Sequence, residues 1–319
     1  MKLQTKIPLH EQESNQIDYN SKLLLLGSCF VENIGEKLGY YKFQNLQNPF
    51  GIIFNPAAIE RLVTYAITEK LFTENDIFFH NERWHCYDVH SELSSSSKEG
   101  LLHKLNSSIT STNKQIRESS HIIITLGTAW VYKHRENDQI VANCHKVPQE
   151  QFKKELLSID AIGKRLKSII SSIHTTNPEA SVILTVSPVR HLKDGFIQNQ
   201  RSKAHLLSSV HETLEKSANC FYFPSYEIMM DELRDYRFYS EDMIHPNAIA
   251  VNYIWEKFKI VWIGKDAYSA MDEISSIQKG LRHKPFNTGS KEHELFRLGL
   301  KRKQDKLSDA YPHMNFDDL

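Results

Sequence analysis

Apolar positions along the chain follow two periods. Leu23, Leu24, Leu25 and Leu26 stand in succession and end in Gly27-Ser28-Cys29. Phe30, Val31, Ile34 and Leu38 then recur at helical spacing, so a buried strand is expected to run straight into a helix. Three later runs, IIITL at 122–126, VILTV at 182–186 and FYF at 221–223, are short, rich in β-formers and bounded by polar or turn residues. Phe152, Leu156, Leu157, Ile162, Leu166, Ile169 and Ile173 share one face and predict a helix over 152–174, closed by Asn177-Pro178 because the residue before a proline leaves helical geometry. Further helices are predicted over 199–217 and 247–262. Apolar strands alternating with helices argue for βαβ units. The expected fold class is α/β, a three-layer α/β/α sandwich around a central parallel sheet.

Two segments break this rhythm. Residues 72–113 carry Trp84, His85, Asp88, His90 and four serines at 94–97, and read as an insertion with a flexible tip. Residues 131–147 read as a hairpin, two alternating arms around a polar turn. After Gly264 the pattern changes again. Ala267, Ala270, Met271, Ile274, Ile277 and Leu281 predict an amphipathic helix, HKPFNTGS interrupts, and a basic helix with Lys301, Arg302, Lys303 and Lys306 follows. These cations read as a solvated face. The expected organisation is an α/β domain over 1–264 and a helical C-terminal extension over 265–319.

Composition narrows the setting. The 39 basic and 39 acidic residues cancel, which argues against nucleic acid or an anionic membrane as the main partner. No apolar stretch approaches the roughly 20 residues needed to span a bilayer. The N-terminal residues lack the apolar segment of a secretory signal. Cys29, Cys86, Cys144 and Cys220 are scattered without a CxxC pair, a usage that suits the reducing cytoplasm, the expected location. Oligomeric state is not legible in the sequence.

The chemistry concentrates at two places. Ser28 falls at the carboxyl end of a strand, where ligands gather in parallel α/β sheets, and at the start of a helix, where unpaired N–H groups and the dipole favour negative charge. It is either a nucleophile or an ordinary N-cap. Near the other end, YSEDMIHPN places His245 three residues after Asp242 and just before a helix that Pro246 is placed to start. An aspartate at that spacing can accept the Nδ1–H bond, fix the tautomer and leave Nε2 free to take a proton. Ser, Asp and His in that chain order, at successive strand ends, make a workable triad.

These residues carry a resemblance. GSCF opening a helix after the first strand resembles the signature of the GSCFA family, with Val31 in place of the final alanine, and that family is similar to the SGNH (GDSL-like) hydrolases. NPFG at 48–51, TLGTAWVY at 125–132, NCHK at 143–146, TVSPVRH at 185–191 and LRDYRFYSEDMIHP at 233–246 resemble further blocks of the family. The resemblance implies Ser28 as nucleophile, His245 as general base and Asp242 as its orienting partner. Gly51 would lend an N–H to an oxyanion hole beside that of Ser28. The third block reads Gly127-Thr128-Ala129-Trp130, with no asparagine, so the Thr128 hydroxyl is the candidate replacement donor. No cofactor is implied.

Rival readings remain open. Cys29 at a helix start is a candidate thiol nucleophile with His245, or a small buried hydrophobe. Cys144-His145 and the trio His80, His85, His90 do not space as a metal site, and no metal is expected; His145 is a candidate for lining the cleft. Arg190, His191, Arg201 and Lys203 are expected to cluster at the carboxyl edge, where Arg190 and Lys203 would hold a substrate carboxylate or phosphate; alternatively Arg190 pairs with Asp194 or Asp235. Trp84 and Trp130 are candidates for sugar or apolar contact. The expected activity is a serine hydrolase of the esterase or acyltransferase type on an acyl ester of a small molecule or carbohydrate. The alternatives are a non-catalytic carbohydrate- or metabolite-binding protein on the same scaffold and a Cys29-dependent thiol acyltransferase.

Overall fold

The computed structural model describes residues 5–287 and 289–316. A five-stranded parallel sheet runs in the order β10 (Cys220–Tyr222), β9 (Ser181–Val186), β5 (His121–Leu126), β1 (Lys22–Gly27), β2 (Gln44–Gln47). In register, Leu24 stands beside Ile122 and Ile122 beside Val182, so apolar residues form rows across the sheet. Alternate residues go to opposite faces. Leu24, Leu26, Ile122, Ile124, Val182 and Leu184 pack with α2 (Pro56–Ile67), α3 (Lys98–Glu118), α4 (Ile159–Thr176) and α5 (Phe196–Leu214). Leu23, Leu25, Ile123 and Ile183 pack with α1 (Cys29–Tyr40), α7 (Ala248–Trp262) and α8 (Tyr268–Arg282). This is the expected three-layer sandwich, and burial on both faces explains why β1, β5 and β9 are apolar almost throughout.

Strand order decides where a ligand can sit. From β1 the chain goes to β2 on one side, then crosses to β5 on the other, so direction reverses between β1 and β5. A crevice opens above the carboxyl ends at such a switch point. Gly27-Ser28 and Gly127-Thr128 are the residues that leave those two strands.

Three local expectations are corrected. Residues 152–156 are not helical: Phe152–Leu156 is strand β8, antiparallel to β6 (Trp130–His134), which also pairs with β7 (Ile140–Val141). The helix begins only after Ser158, whose hydroxyl accepts from the Ala161 amide. The predicted hairpin is therefore two strands of a three-stranded sheet, and residues 142–147 lie outside it. The serine run is not a flexible tip. Ser94 is 2% exposed and its hydroxyl bonds to His85 Nδ1 at 2.7 Å, Ser95 pairs with the Trp84 main chain, and Ser97 caps α3 by accepting from Gly100 N. Residues 98–113 belong to α3, one of the sheet-covering helices, so the inserted structure is the β3 (Phe78–His80) and β4 (Arg83–His85) hairpin before it.

At the C-terminal end, α8 buries Met271, Ile274 and Ile277 in the same core as α1, and Gln278 donates to the Tyr40 carbonyl. The following helix α9 (Lys291–Ala310) exposes Lys301, Arg302 and Lys303, the solvated face expected. Among the described residues no helix is long and apolar enough to cross a membrane.

The tightest contact at the switch point is backbone on backbone. Gly27 has φ +141°, and a Cβ there would stand 2.3 Å from the Thr125 carbonyl oxygen. Gly27→Ala is therefore expected to lose roughly 3 kcal/mol or more of stability in urea unfolding. A loss within about 0.5 kcal/mol, the range of an ordinary surface change, would contradict this close approach.

Candidate active site at the carboxyl edge of the sheet

Ser28 caps α1. Its φ and ψ are −72° and 168°, and its Oγ accepts from the Phe30 amide at 3.3 Å. Its own N–H donates to the Thr125 carbonyl at 3.1 Å. The residue is 1% exposed. The N-cap reading is thus realised, and the hydroxyl that the nucleophile reading needs accessible is sealed by its neighbours. Asn48, which the sequence reading passed over, holds this corner together. Its Oδ1 accepts from Gly27 N at 2.9 Å and its Nδ2 donates to Glu32 Oε1 at 3.2 Å, so the NPFG block braces the residue before Ser28.

The Asp242–His245 pair forms as the spacing predicts. Met243 adopts φ +58°, which reverses the chain so that Asp242 Oδ1 accepts from the amides of Ile244 and His245, at 2.9 and 3.0 Å. Its other oxygen accepts from His245 Nδ1 at 2.6 Å. The His245 backbone bond and then the imidazole bond hold the Asp242 carboxyl at about 2, below its ordinary range. Both side chains are exposed, and Nε2 has no protein partner among the described residues. The loop itself is pinned. Tyr239 bridges to Pro246, Ser240 N donates to His245 O, and Arg190 N donates to Ile244 O, which ties the loop to the end of β9. Among the described residues no hydrogen bond joins Ser28 to His245.

The expected oxyanion groups are already engaged. Gly51 N donates to the Asn48 carbonyl at 2.7 Å, and Gly127 N donates to Phe54 O at 2.8 Å. Gly51 has φ +73° and lies against His90, so its glycine serves a tight turn. The Thr128 hydroxyl bonds to Ser202 Oγ at 2.9 Å and accepts from Trp130 N at 3.1 Å. It is a structural hydroxyl rather than a free donor. What organises the third block is one face of α5. Asn199 accepts from His191 N, Ser202 accepts from Ala129 N, and Lys203 Nζ donates to Gly127 O at 2.8 Å and Ser187 O at 2.6 Å. These residues stand at i, i+3 and i+4, so they share a face.

Other expected site residues fall differently. Lys203 is 1% exposed and bonds two main-chain carbonyls, so it is not a surface cation reaching for substrate. Burial lowers its ammonium to about 7. Arg190 pairs with neither Asp194, which holds Lys154, nor Asp235, which holds Arg237. Its guanidinium instead lies over Tyr239 at 4.1 Å and Tyr236 at 5.3 Å, beside a cavity of about 170 Å³. His145 does not line the cleft. It is 3% exposed, donates from Nε2 to the Cys86 carbonyl at 2.7 Å, and packs its ring at a tilt against His85. Trp130 turns its indole N–H to Gln198 O at 3.3 Å. Cys29 is half-buried and its thiol is pushed up by burial and by Glu32, the opposite of an activated thiolate. Among the described residues no group of three His, Cys, Asp or Glu side chains is placed to hold a metal.

His191 lies at the carboxyl edge, as the sequence suggests, but is buried there. Its ring packs on Phe54, and its Nε2 sits 3.1 Å from where a Gly127 Cβ would stand, buried and without a hydrogen-bond partner. Burial, then the charges of Lys203 and His245, lower it to about 3. His191 thus packs against the third block, while its neighbour Arg190 is the residue bonded to the His245 loop.

A family model described as GSCFA family matches residues 22–258, and a second, described as GSCFA domain protein, C-terminal domain, matches residues 274–319. The chain belongs to the GSCFA family. No curated protein matches it.

His145, lowered by burial to about 4, and His191, at about 3, are neutral bases in the folded chain. Unfolded, both take up a proton near pH 6.5. Below that value the unfolded state binds more protons, so their contribution to stability is complete above pH 6.5 and is lost as pH falls toward the folded values. Histidine NMR titration is expected to show both rings neutral at pH 5, with urea stability declining from pH 6.5 to 4.5. Either ring titrating near 6.5 would contradict the burial.

Proposed function

We propose that this member of the GSCFA family is a serine hydrolase of the esterase or acyltransferase type, on an SGNH/GDSL-like scaffold, acting on an O-acyl group of a small molecule or carbohydrate. The observation that carries the reading is the Asp242–His245 pair: Nδ1 is held at 2.6 Å by a carboxylate, and Nε2 is left open at the carboxyl edge of the sheet, the edge at which β1 gives way to Ser28. That arrangement fixes a tautomer able to accept a proton and stabilises the imidazolium that results.

In the proposed reaction Ser28 Oγ bonds to the acyl carbon as its proton passes to His245 Nε2, and the carbonyl electron pair moves onto oxygen. Collapse of that intermediate breaks the bond to the leaving alcohol, which takes the proton from His245. Water or a second hydroxyl then repeats the sequence and releases the acyl group. Ser28 is sealed at rest, so substrate access includes movement of cover.

Two other readings keep an observation each. The sealed serine and the engaged amides of Gly51 and Gly127 suit a carbohydrate- or metabolite-binding protein. A Cys29-dependent transferase has the adjacent thiol, but the raised thiol pKa counts against it. Incubation with a fluorophosphonate and with an aryl acetate separates the three. Ser28 is expected to be the labelled residue, with Ser28→Ala lowering kcat by roughly ten-thousand-fold and Cys29→Ala leaving turnover within a few-fold. Wild-type protein that is neither labelled nor active would end the enzyme reading and favour the binding one. Loss confined to Cys29→Ala would move the nucleophile by one residue.

A further inference from the structure

Lys203 is a buried cation facing no carboxylate. Its surroundings are the carbonyls of Gly127 and Ser187, the Tyr226 ring with its centroid at 5.7 Å, and, within electrostatic reach, the Cys29 thiol of α1 and His191 of the loop after β9. Removing an ammonium from water costs several kcal/mol, and two hydrogen bonds to neutral carbonyls return only part of it. Stability alone gives little reason for a charge here, and a strongly perturbed group at the carboxyl ends of parallel strands points to a functional position.

The bond to Gly127 O has a consequence for the next residue. A trans peptide points its C=O and N–H in opposite directions. The Gly127 carbonyl points inward to the ammonium, so the N–H of the same peptide, that of Thr128, points away from it. Among the described residues that N–H donates to no acceptor. A cation on the carbonyl draws electron density from the amide and makes the N–H a stronger donor. Ser202, one position earlier on α5, fixes the Thr128 hydroxyl and the Ala129 N–H, which leaves the Thr128 N–H as the free donor of this block.

We propose that the oxyanion site lacking its asparagine is built from the Thr128 N–H, with Lys203 as a positioning residue that holds and polarises the Gly127–Thr128 peptide and supplies buried positive charge behind it. This rests on the serine-hydrolase reading above. Lys203 transfers no proton and touches no substrate. Its charge acts through the peptide and electrostatically on the start of α1, where Cys29 lies within its reach. The first-turn amide of Cys29, which has no intrahelical acceptor by its position, is the second donor at hand.

The test is the pH dependence of acyl-ester turnover. Because burial sets the ammonium near pH 7, kcat is expected to fall as pH rises through about 7, while KM changes little. Lys203→Met is expected to lower kcat by roughly a hundredfold or more and to abolish the alkaline limb. Lys203→Arg, whose charge does not titrate, is expected to keep activity at alkaline pH. The ¹³Cε titration of Lys203 in the wild-type protein supplies the deciding measurement should either variant fail to fold. A midpoint coincident with the alkaline limb supports the proposal, and a midpoint more than about one unit from it overturns it. A Lys203→Met protein with the wild-type limb overturns it as well. Failure of the underlying reading looks different: wild-type Ser28 would be unlabelled by fluorophosphonate at every pH, whereas normal Ser28 labelling with a Lys203→Met protein that keeps the wild-type kcat and the wild-type alkaline limb rejects the role of Lys203 alone.

Discussion

One buried ammonium joins the parts of the carboxyl edge. Lys203 reaches from α5 to the first residue beyond β5 and the first beyond β9, and bonds both at hydrogen-bond distance. Its neighbours on the same helix face, Asn199 and Ser202, hold His191 and the Thr128–Ala129 segment. The carboxyl edge at the switch point is thus shaped by a helix rather than by the strands that end there. A hydrophobic residue at 203 would avoid the desolvation of a charge but would leave two carbonyls without a donor. The fold keeps the polar solution, and the third block takes its conformation from it.

The same edge explains why two glycines cannot be exchanged for larger residues. Gly27 sits on the Thr125 carbonyl, and Gly127 sits between Phe54 and His191. Both mark backbone passing closely over a neighbouring strand end or loop. Asn48 then holds Gly27 from one side while Lys203 holds Gly127 from the other. The nucleophile candidate stands between a brace supplied by the second block and a clamp supplied by α5. That degree of constraint fits a preorganised site, in which donors are fixed before charge develops.

Much of the sheet was legible because burial on both faces leaves an unambiguous apolar signature in β1, β5 and β9. The strand β2 was not, since QNLQ is a partly exposed edge strand with a polar sequence. Phe152, Leu156 and Leu157 fit both a helical face and the end of a strand, and tertiary pairing with β6 decided for the strand. In the site, the Asp242–His245 pair was readable because it is local, made within a single turn. The oxyanion groups were not, because whether an N–H is free depends on what the fold has already given it. Lys203 was misread for a related reason: a lysine ordinarily belongs to the surface, and nothing in its own sequence neighbourhood announces that β5 and β9 close over it.

The central claim is that Ser28 attacks and that the Thr128 N–H receives the oxygen. A crystal structure of the phosphonate-treated protein tests it most directly. The claim predicts phosphorus bonded to Ser28 Oγ, a phosphoryl oxygen within hydrogen-bond distance of the Thr128 N–H, and His245 Nε2 turned toward the adduct. An adduct elsewhere, or a phosphoryl oxygen turned away from Thr128, would contradict it.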